Sequence, residues 1–206
     1  MADRTPLPEP ILEGRVIAVM RGVAHDLVRD IAHLVVSEGI ETIEITMDTE
    51  GAVEVIGDLA GRGHLVGAGT VRSVDDAATA VSAGASFLVS PVADVPVIEW
   101  ALARSVPVVP GGLTPTEIAT EWDMGVSAVK VFPASLGGPS YIGSLVAPLG
   151  GVPMIPTGGI DDTNAASFIE AGAAAVGVGS WLTGSSDLHV IAERAGSLVG
   201  ALRRQR

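Results

Sequence analysis

The chain has 206 residues, enough for a single domain of the α/β-barrel size class, and 48% of them are hydrophobic although only 3% are aromatic. Its formal net charge of −12 argues against nucleic acid or an anionic membrane as a partner, and no apolar stretch reaches the ~18 residues of a membrane span. Cysteine is absent, which excludes disulfides and thiol chemistry and leads us to expect a cytoplasmic protein.

Short apolar runs alternate with amphipathic stretches along the whole chain. In the first amphipathic stretch, 24–37, Leu27, Ile31 and Leu34 recur at helical spacing. The apolar runs have few polar interruptions, as is typical of strands buried on both faces of a parallel sheet. We predict eight strands, at 15–20, 42–47, 65–68, 86–89, 106–109, 128–132, 152–155 and 174–178.

Capping residues and glycines mark the ends of the predicted helices. Segments that begin at Ser73, Thr114 and Asp162 have the capping side chains of helix starts, and the first two continue into acidic first turns. Glycine is the usual residue just beyond a helix end. Four glycines are predicted to end helices one residue before the next apolar run: Gly39, Gly84, Gly125 and Gly172.

Eight strand–helix units predict a parallel sheet with helix-covered faces, and within residues 1–206 they predict one domain with a compact (β/α)₈ TIM barrel. A short N-terminal helix at 6–13 would close the bottom of this barrel. The alternative is an open doubly wound sheet. No Gly-x-Gly-x-x-Gly opens the first strand–helix turn, which argues against a dinucleotide site.

The 12 basic residues comprise eleven arginines and one lysine, Lys130, which lies inside the apolar run 127–133. Burial of an ammonium group is costly unless the group is paired or loses its proton. An arginine cannot substitute for it, because a guanidinium stays charged and is a poor nucleophile. A single desolvated lysine is the residue that a Schiff-base enzyme needs. The alternative is a strand-end lysine whose ammonium group reaches solvent.

Side-chain alternation groups the polar residues of the predicted strands. Glu44 shares a face with Thr46 and Asp48, and Lys130 shares a face with Phe132. If both faces point inward, Glu44 and Lys130 meet at one end of the barrel. Glu44 is then either an acid–base partner of the amine or only its counter-ion.

Further polar residues follow the carboxyl ends of other predicted strands, where barrel enzymes place their chemistry. Arg21 ends the first strand, and a salt bridge to Asp48 is the alternative to a binding role. Thr70 ends the third strand, and Thr157 the seventh; either is a binding residue or a turn residue.

Glycine-rich segments follow the last two predicted strands, Thr157-Gly158-Gly159 and Gly179-Ser180. Barrels often bind phosphate at these positions through backbone N–H groups, although each glycine pair alone is also typical of a tight turn. The sequence has no cluster of histidines and carboxylates at ligand spacing, so we predict neither a metal nor another cofactor.

Several motifs, in this order along the chain, resemble the class I aldolases that cleave 2-keto-3-deoxy-6-phosphogluconate (KDPG), with their 4-hydroxy-2-oxoglutarate (KHG) and phosphogalactonate relatives. The resemblance spans roughly 15–183. The motifs are Val19-Met-Arg-Gly, Ile43-Glu-Ile-Thr, Gly67-Ala-Gly-Thr-Val, Val89-Ser-Pro, Pro110-Gly-x-x-Thr-Pro-Thr-Glu, Val129-Lys-Val-Phe-Pro-Ala, Pro156-Thr-Gly-Gly and Val178-Gly-Ser-Trp.

The resemblance implies a metal-independent, homotrimeric lyase. Its substrate would be a 2-keto-3-deoxy-6-phospho-sugar acid or 4-hydroxy-2-oxoglutarate, cleaved to pyruvate and an aldehyde, glyceraldehyde 3-phosphate or glyoxylate. Lys130 matches the lysine that forms the imine, Glu44 the proton-shuttling acid/base, and Thr70 a residue lining the pyruvate site. The residues that match the region holding the far end of the substrate are Thr157, Gly158, Gly159, Gly179 and Ser180.

One position departs from this pattern. The phosphogluconate branch usually has an arginine for the pyruvate carboxylate where this chain has Asp48, and Arg21 is our candidate to replace it. The galactonate branch also lacks that arginine, and its Phe-Pro-x-Ser…Gly-Pro-x-Tyr-Ile pattern looks like 132–142. A galactonate-type aldolase is therefore an alternative. Two further alternatives are a phosphate-binding barrel isomerase or synthase, in which Lys130 is only electrostatic, and a barrel without catalytic activity.

Overall fold

The computed structural model describes residues 4–204, and its strands form two parallel sheets. The larger sheet has the order β5-β4-β3-β2-β1-β9, and the smaller has the order β6-β7-β8. The strands are β1 Val16–Met20, β2 Thr42–Thr46, β3 Leu65–Gly69, β4 Leu88–Val89, β5 Val108–Val109, β6 Gly111–Gly112, β7 Val129–Val131, β8 Met154–Pro156 and β9 Val176–Val178. Consecutive strands are neighbours, without the reversal of strand order that defines a doubly wound sheet.

The two sheets are connected at both of their edges. Pro110 separates β5 from β6 because proline has no N–H to donate, yet its carbonyl still accepts a hydrogen bond of 2.7 Å from Lys130 N. At the other edge Thr157 forms a parallel bridge with Gly177, and Ala174 N donates to Met154 O at 2.9 Å. The predicted α/β class with parallel strands is thus confirmed.

Helices connect the strands and cover the outer faces of the sheets. They are α1 Glu9–Gly14, α2 Val28–Ser37, α3 Ala52–Gly61, α4 Val74–Ala83, α5 Val95–Leu102, α6 Pro115–Met124, α7 Gly138–Val146, α8 Ala165–Glu170, α9 Ser180–Thr183 and α10 Leu188–Arg203, with a 3-10 turn at Ala134–Leu136. Within residues 4–204, no helix is long and apolar enough to cross a membrane.

Most of the predicted helix ends are confirmed. Thr114 forms a capping box at the start of α6, and glycines in the left-handed region end helices, as at Gly84 with φ +113° and Gly125 with φ +103°. The helix predicted to start at Asp162 is wrong in detail. α8 begins at Ala165, because Asp161 and Asn164 use their side chains to hold the preceding loop.

Buried apolar residues form two clusters, one on each face of the strands. The larger cluster lies between strands and helices and includes Ile43, Ile45, Val129 and Val131. The inner cluster draws on both sheets and also receives Ile11 from α1, which confirms the predicted N-terminal helix, at Glu9–Gly14 rather than at 6–13. Its members are Leu7, Ile11, Ile17, Val19, Phe87, Val89, Val109, Ala128, Ile155 and Ala175.

One carboxyl group is buried away from the inner cluster. Glu121 on α6 is 1% exposed, and neither of its carboxyl oxygens has a hydrogen-bond partner among residues 4–204. It packs on Gly112, where an added Cβ would lie 2.9 Å from Glu121 Oε1. Burial, with a smaller effect from the negative charge of Glu117, raises the pKa of Glu121 to about 7.

Candidate active site

A cavity of about 310 Å³ opens where β1, β7, β8 and β9 end. Seven of the nine residues proposed from the sequence line it, and Glu44 and Thr70 do not. The lining consists of Val19, Arg21, Lys130, Phe132, Thr157, Gly158, Gly159, Ile160, Asp161, Gly179, Ser180 and Trp181. The carboxyl ends of parallel strands are the usual place for chemistry in such sheets.

Lys130 is the central residue of β7, and its side chain lines the cavity. Its neighbours Val129 and Val131 pack in the outer cluster, so strand alternation directs Lys130 to the inner face. The side chain is only 4% exposed, which rules out a strand-end lysine extended into solvent. Its Nζ lies 5.4 Å from the centroid of the Phe132 ring, and no carboxylate within residues 4–204 forms an ion pair with it.

Glu44 lies on β2, on the inner face opposite Ile43 and Ile45. It is 2% exposed, and its Oε1 is buried with no hydrogen-bond partner in the described range 4–204. The neighbouring strand accommodates the carboxyl group only because position 69 is glycine, since a Cβ there would collide with the Glu44 side chain. Glu44 is paired in register with Val19, which lines the cavity. In the described part of the chain it does not form a direct ion pair with Lys130.

Arg21 projects from the end of β1 and is held by the end of β3. Its Nη2 donates a hydrogen bond of 2.7 Å to Thr70 Oγ1. Thr70 has φ +56°, a backbone conformation that is rare for a β-branched residue and is found mainly at functional sites. Asp48 lies exposed in the turn after β2 and forms no ion pair with Arg21. The salt bridge considered for these two residues is therefore absent.

The loop after β8 exposes backbone donors to the cavity. Gly158 and Gly159 have φ +98° and +74°, and a Cβ on Gly159 would lie 2.8 Å from Ser135 Cβ, so glycine is required there for both reasons. The N–H groups of Gly159 and Ile160 donate to no oxygen within residues 4–204. Successive N–H groups without partners at a concave surface are suited to bind an anion.

The segment after β9 forms the adjoining wall. Gly179 and Ser180 line the cavity at the start of the one-turn helix α9. The hydroxyl of Thr183 donates to Val19 O at 3.0 Å, which ties this helix to β1. Thr157 lies next to β9, where a Cβ on Gly177 would collide with the Thr157 side chain. The two glycine-rich segments are thus brought to the same end of the cavity.

Three residues with chemically distinctive side chains were missed as site residues. Phe132 shares a face with Lys130, so strand alternation was sufficient to find it. Asp161 lies in a loop, and Trp181 lies in the one-turn helix α9, which is too short for a period to relate sequence position to side-chain direction. The glycines that precede both segments were the only available signal.

Comparison with known proteins gives consistent matches. The sequence model of a family described as KDPG and KHG aldolase matches residues 8–193. The 2-dehydro-3-deoxy-phosphogluconate aldolase of Treponema pallidum is 37% identical over 155 residues, 74% of this chain and 74% of that protein. The 2-dehydro-3-deoxy-6-phosphogalactonate aldolase of Escherichia coli K12 is 33% identical over 194 residues, 91% of this chain and 94% of that protein.

Solved structures agree with these relatives. A structure described as native KDPGal superposes with a TM-score of 0.86 at 31% identity, covering 100% of this chain and 98% of the other. The KDPG aldolase of Legionella pneumophila, with pyruvate captured as a covalent carbinolamine, superposes with a TM-score of 0.77 at 25% identity, covering 96% of this chain and 98% of the other.

Proposed function

Since this chain belongs to the KDPG and KHG aldolase family, we propose that it is a lyase that cleaves a 2-keto-3-deoxy-6-phospho-sugar acid or 4-hydroxy-2-oxoglutarate through a Schiff base on Lys130. The products are pyruvate and an aldehyde, glyceraldehyde 3-phosphate or glyoxylate. The observation that carries this proposal is the position of the only lysine, buried in the middle of β7 and lining the cavity. The covalent carbinolamine of the Legionella pneumophila relative supports the same chemistry here.

The reaction begins when the neutral amine of Lys130 attacks C2 of the keto acid and forms a carbinolamine. Loss of water, with a proton supplied by Glu44, gives a protonated imine. The imine accepts the electrons of the C3–C4 bond, while Glu44 removes the proton of the C4 hydroxyl, directly or through a water molecule. An aldehyde leaves, and protonation and hydrolysis of the enamine release pyruvate and restore the amine.

The remaining residues would bind the two ends of the substrate. Arg21 binds the carboxylate, since it is the only other cation in the cavity lining, and Thr70 holds Arg21 at the pyruvate end. The distal end is bound by the glycine-rich segments, because their N–H groups can donate to an anion without a further positive charge. The residues assigned to this end are Thr157, Gly158, Gly159, Gly179 and Ser180.

We also propose that the two sheets belong to one closed (β/α)₈ barrel within a single domain over residues 1–206. The Pro110 connection, the bridge from Thr157 to Gly177 and an inner cluster drawn from both sheets support this closure. The proposal includes a homotrimer in the cytoplasm. Leu136 is 72% exposed beside an apolar cavity of about 270 Å³ that Leu113 and Tyr141 also line, and a neighbouring subunit would cover this surface.

A galactonate-type substrate is the second candidate. The galactonate aldolase of Escherichia coli matches 91% of this chain, whereas the gluconate aldolase of Treponema pallidum matches 74%. Asp48 also departs from the phosphogluconate pattern. The two substrates differ in configuration at C4, so cleavage rates measured side by side on the gluconate- and galactonate-derived acids decide between them.

Covalent trapping tests the central step. Incubation with pyruvate and borohydride should add one reduced pyruvyl group per chain, and peptide mapping should place it on Lys130. The Lys130→Arg variant keeps the positive charge but should form no adduct and should be inactive. Labelling confined to the N-terminal amine, or no labelling at all, would contradict the Schiff-base mechanism. Either result would favour an isomerase, a synthase or an inactive barrel.

A further inference from the structure

Asp161 is the one acidic side chain in the cavity lining, and it lies at the glycine-rich end, two residues after Gly159. The cationic residues of the lining, Arg21 and Lys130, belong to the segments of β1 and β7. Within residues 4–204, Asp161 has no basic side chain as an ion-pair partner. The distal end of the cavity therefore combines N–H groups that lack acceptors with a carboxylate that has no cationic partner.

Hydrogen bonds within the loop hold Asp161 in place. Asp161 Oδ1 accepts from Thr163 N at 2.9 Å, and Asn164 Oδ1 accepts from Asp161 N at 3.1 Å. Asn164 Nδ2 donates in turn to Gly159 O at 3.0 Å, so the carboxylate and the glycine loop form one connected unit. In the described part of the chain, Asp161 Oδ2 has no hydrogen-bond partner.

The ligand group that suits this end must both accept and donate hydrogen bonds. A hydroxyl group accepts from the loop N–H groups and donates to a carboxylate. A phosphate dianion satisfies the N–H groups but is repelled by Asp161. We propose that Asp161 is a specificity-determining residue that makes the distal end favour a substrate ending in hydroxyl groups over one ending in a phosphate dianion. This inference rests on the proposed aldolase function and changes one part of it: the preferred substrate is a 2-keto-3-deoxy sugar acid without the distal phosphate, and the aldehyde released is glyceraldehyde.

The test compares kcat/KM for 2-keto-3-deoxygluconate and for its 6-phosphate in the wild type, Asp161→Asn and Asp162→Asn. If the enzyme cleaves the galactonate-derived acid instead, the comparison uses 2-keto-3-deoxygalactonate and its 6-phosphate. Asparagine at 161 removes the charge and keeps an oxygen that accepts from Thr163 N. We expect kcat/KM for the 6-phosphate to rise about ten-fold relative to that for the unphosphorylated acid. Inorganic phosphate should also become a stronger competitive inhibitor of cleavage.

Asp162→Asn is the matched control, because it makes the same charge change one residue further on. Asp162 does not line the cavity, and its Oδ2 accepts a hydrogen bond from the Ser197 hydroxyl. The ratio of the two kcat/KM values should stay at the wild-type level in this variant. An unchanged ratio in Asp161→Asn, or an equal change in both variants, overturns the inference.

Trapping of wild-type enzyme with pyruvate and borohydride separates this inference from the aldolase proposal, since pyruvate has no distal end. If no adduct forms on Lys130, the aldolase proposal itself fails. If the adduct forms but the substrate ratio does not respond to Asp161→Asn, only the role of Asp161 is wrong. Asp161→Ser also removes the charge and keeps an acceptor for the loop, and it replaces the asparagine variant if that variant does not fold.

Discussion

Arg21 and Thr70 are joined by a hydrogen bond of 2.7 Å from Nη2 to Oγ1, which links the ends of β1 and β3 beside the cavity. Thr70 accepts this bond from an unfavourable backbone conformation at φ +56°. Thr70 thus fixes the guanidinium group of Arg21 at the edge of the cavity, where it can bind the substrate carboxylate.

Replacement of Arg21 with alanine should raise KM for the keto acid by roughly ten- to hundred-fold, because a charge-assisted contact of about 1.5–3 kcal/mol is lost. Thr70→Ala should raise KM less, since Arg21 remains but is no longer held, and Thr70→Ser should retain KM because the acceptor oxygen is kept. Steady-state kinetics of the three variants measures this order. An unchanged KM in Arg21→Ala would show that Arg21 does not bind the substrate carboxylate.

Asp48→Asn should be tolerated or should lower KM slightly, because the change removes a negative charge near the carboxylate-binding end. Asp48 is exposed in a turn and has no ion pair with Arg21 to lose. The measurement is kcat/KM beside that of Arg21→Ala. Loss of activity in Asp48→Asn together with a mild effect of Arg21→Ala would show that Asp48 binds substrate, for example through a hydroxyl group.

Glu44→Gln preserves the shape of the side chain and removes the base. Turnover should fall by ~10²-fold or more, while the pyruvate adduct still forms, although more slowly. Single-turnover cleavage and borohydride trapping, performed on the same preparation, separate these two effects. Near-normal turnover would show that Glu44 is not the catalytic base.

Gly69→Ala tests the space that Glu44 occupies. A methyl group at this position collides with the Glu44 carboxyl, so both stability and turnover should decrease, stability by about 1–3 kcal/mol. Gly67→Ala is the matched variant, because its methyl group meets the Phe87 ring instead. Thermal unfolding should show a similar loss for both variants, whereas kcat should fall much more in Gly69→Ala. Equal kcat values in the two variants would show that the position of the Glu44 side chain does not limit turnover.

Glu121 should make the protein less stable as pH rises from about 4.5 towards 7. Its pKa is raised to about 7 in the folded state from an ordinary value of 4.5, so within this window the unfolded chain releases a proton that the folded chain keeps. Below the window both states are protonated, and above it both are ionised, so the loss is then complete. Glu121→Gln should remove this component and be more stable than the wild type at pH 8, by on the order of 2 kcal/mol. Urea unfolding at pH 4, 6 and 8 measures the free energy of unfolding of both proteins. The prediction is contradicted if this free energy changes with pH by the same amount in the wild type and in Glu121→Gln.

The sequence was sufficient to predict those parts of the structure that follow a regular period. Strand alternation correctly placed Lys130 and Glu44 opposite the neighbours that pack in the larger cluster, and the glycines that end helices were correctly located. The break at Pro110 and the positive φ of Thr70 were not predicted, because both depend on contacts between strands distant in sequence. Asp161 was missed for a different, local reason: its carboxylate accepts from Thr163 N and its own N–H donates to Asn164 Oδ1, and these bonds fix its direction.

The burial of the only lysine has a practical consequence for measuring how this fold opens. A protease specific for lysine has a single cleavage site in the chain, the bond after Lys130, and that bond lies inside a paired strand. Cleavage must wait until β7 leaves both neighbouring strands, so the rate of appearance of fragments 1–130 and 131–206 reports the opening of the strand that carries the nucleophile. Reduction of the pyruvate imine on Lys130 would remove the only cleavage site. The fraction of unfolded chain that this protease leaves uncut would then equal the fraction of Lys130 that carries pyruvate.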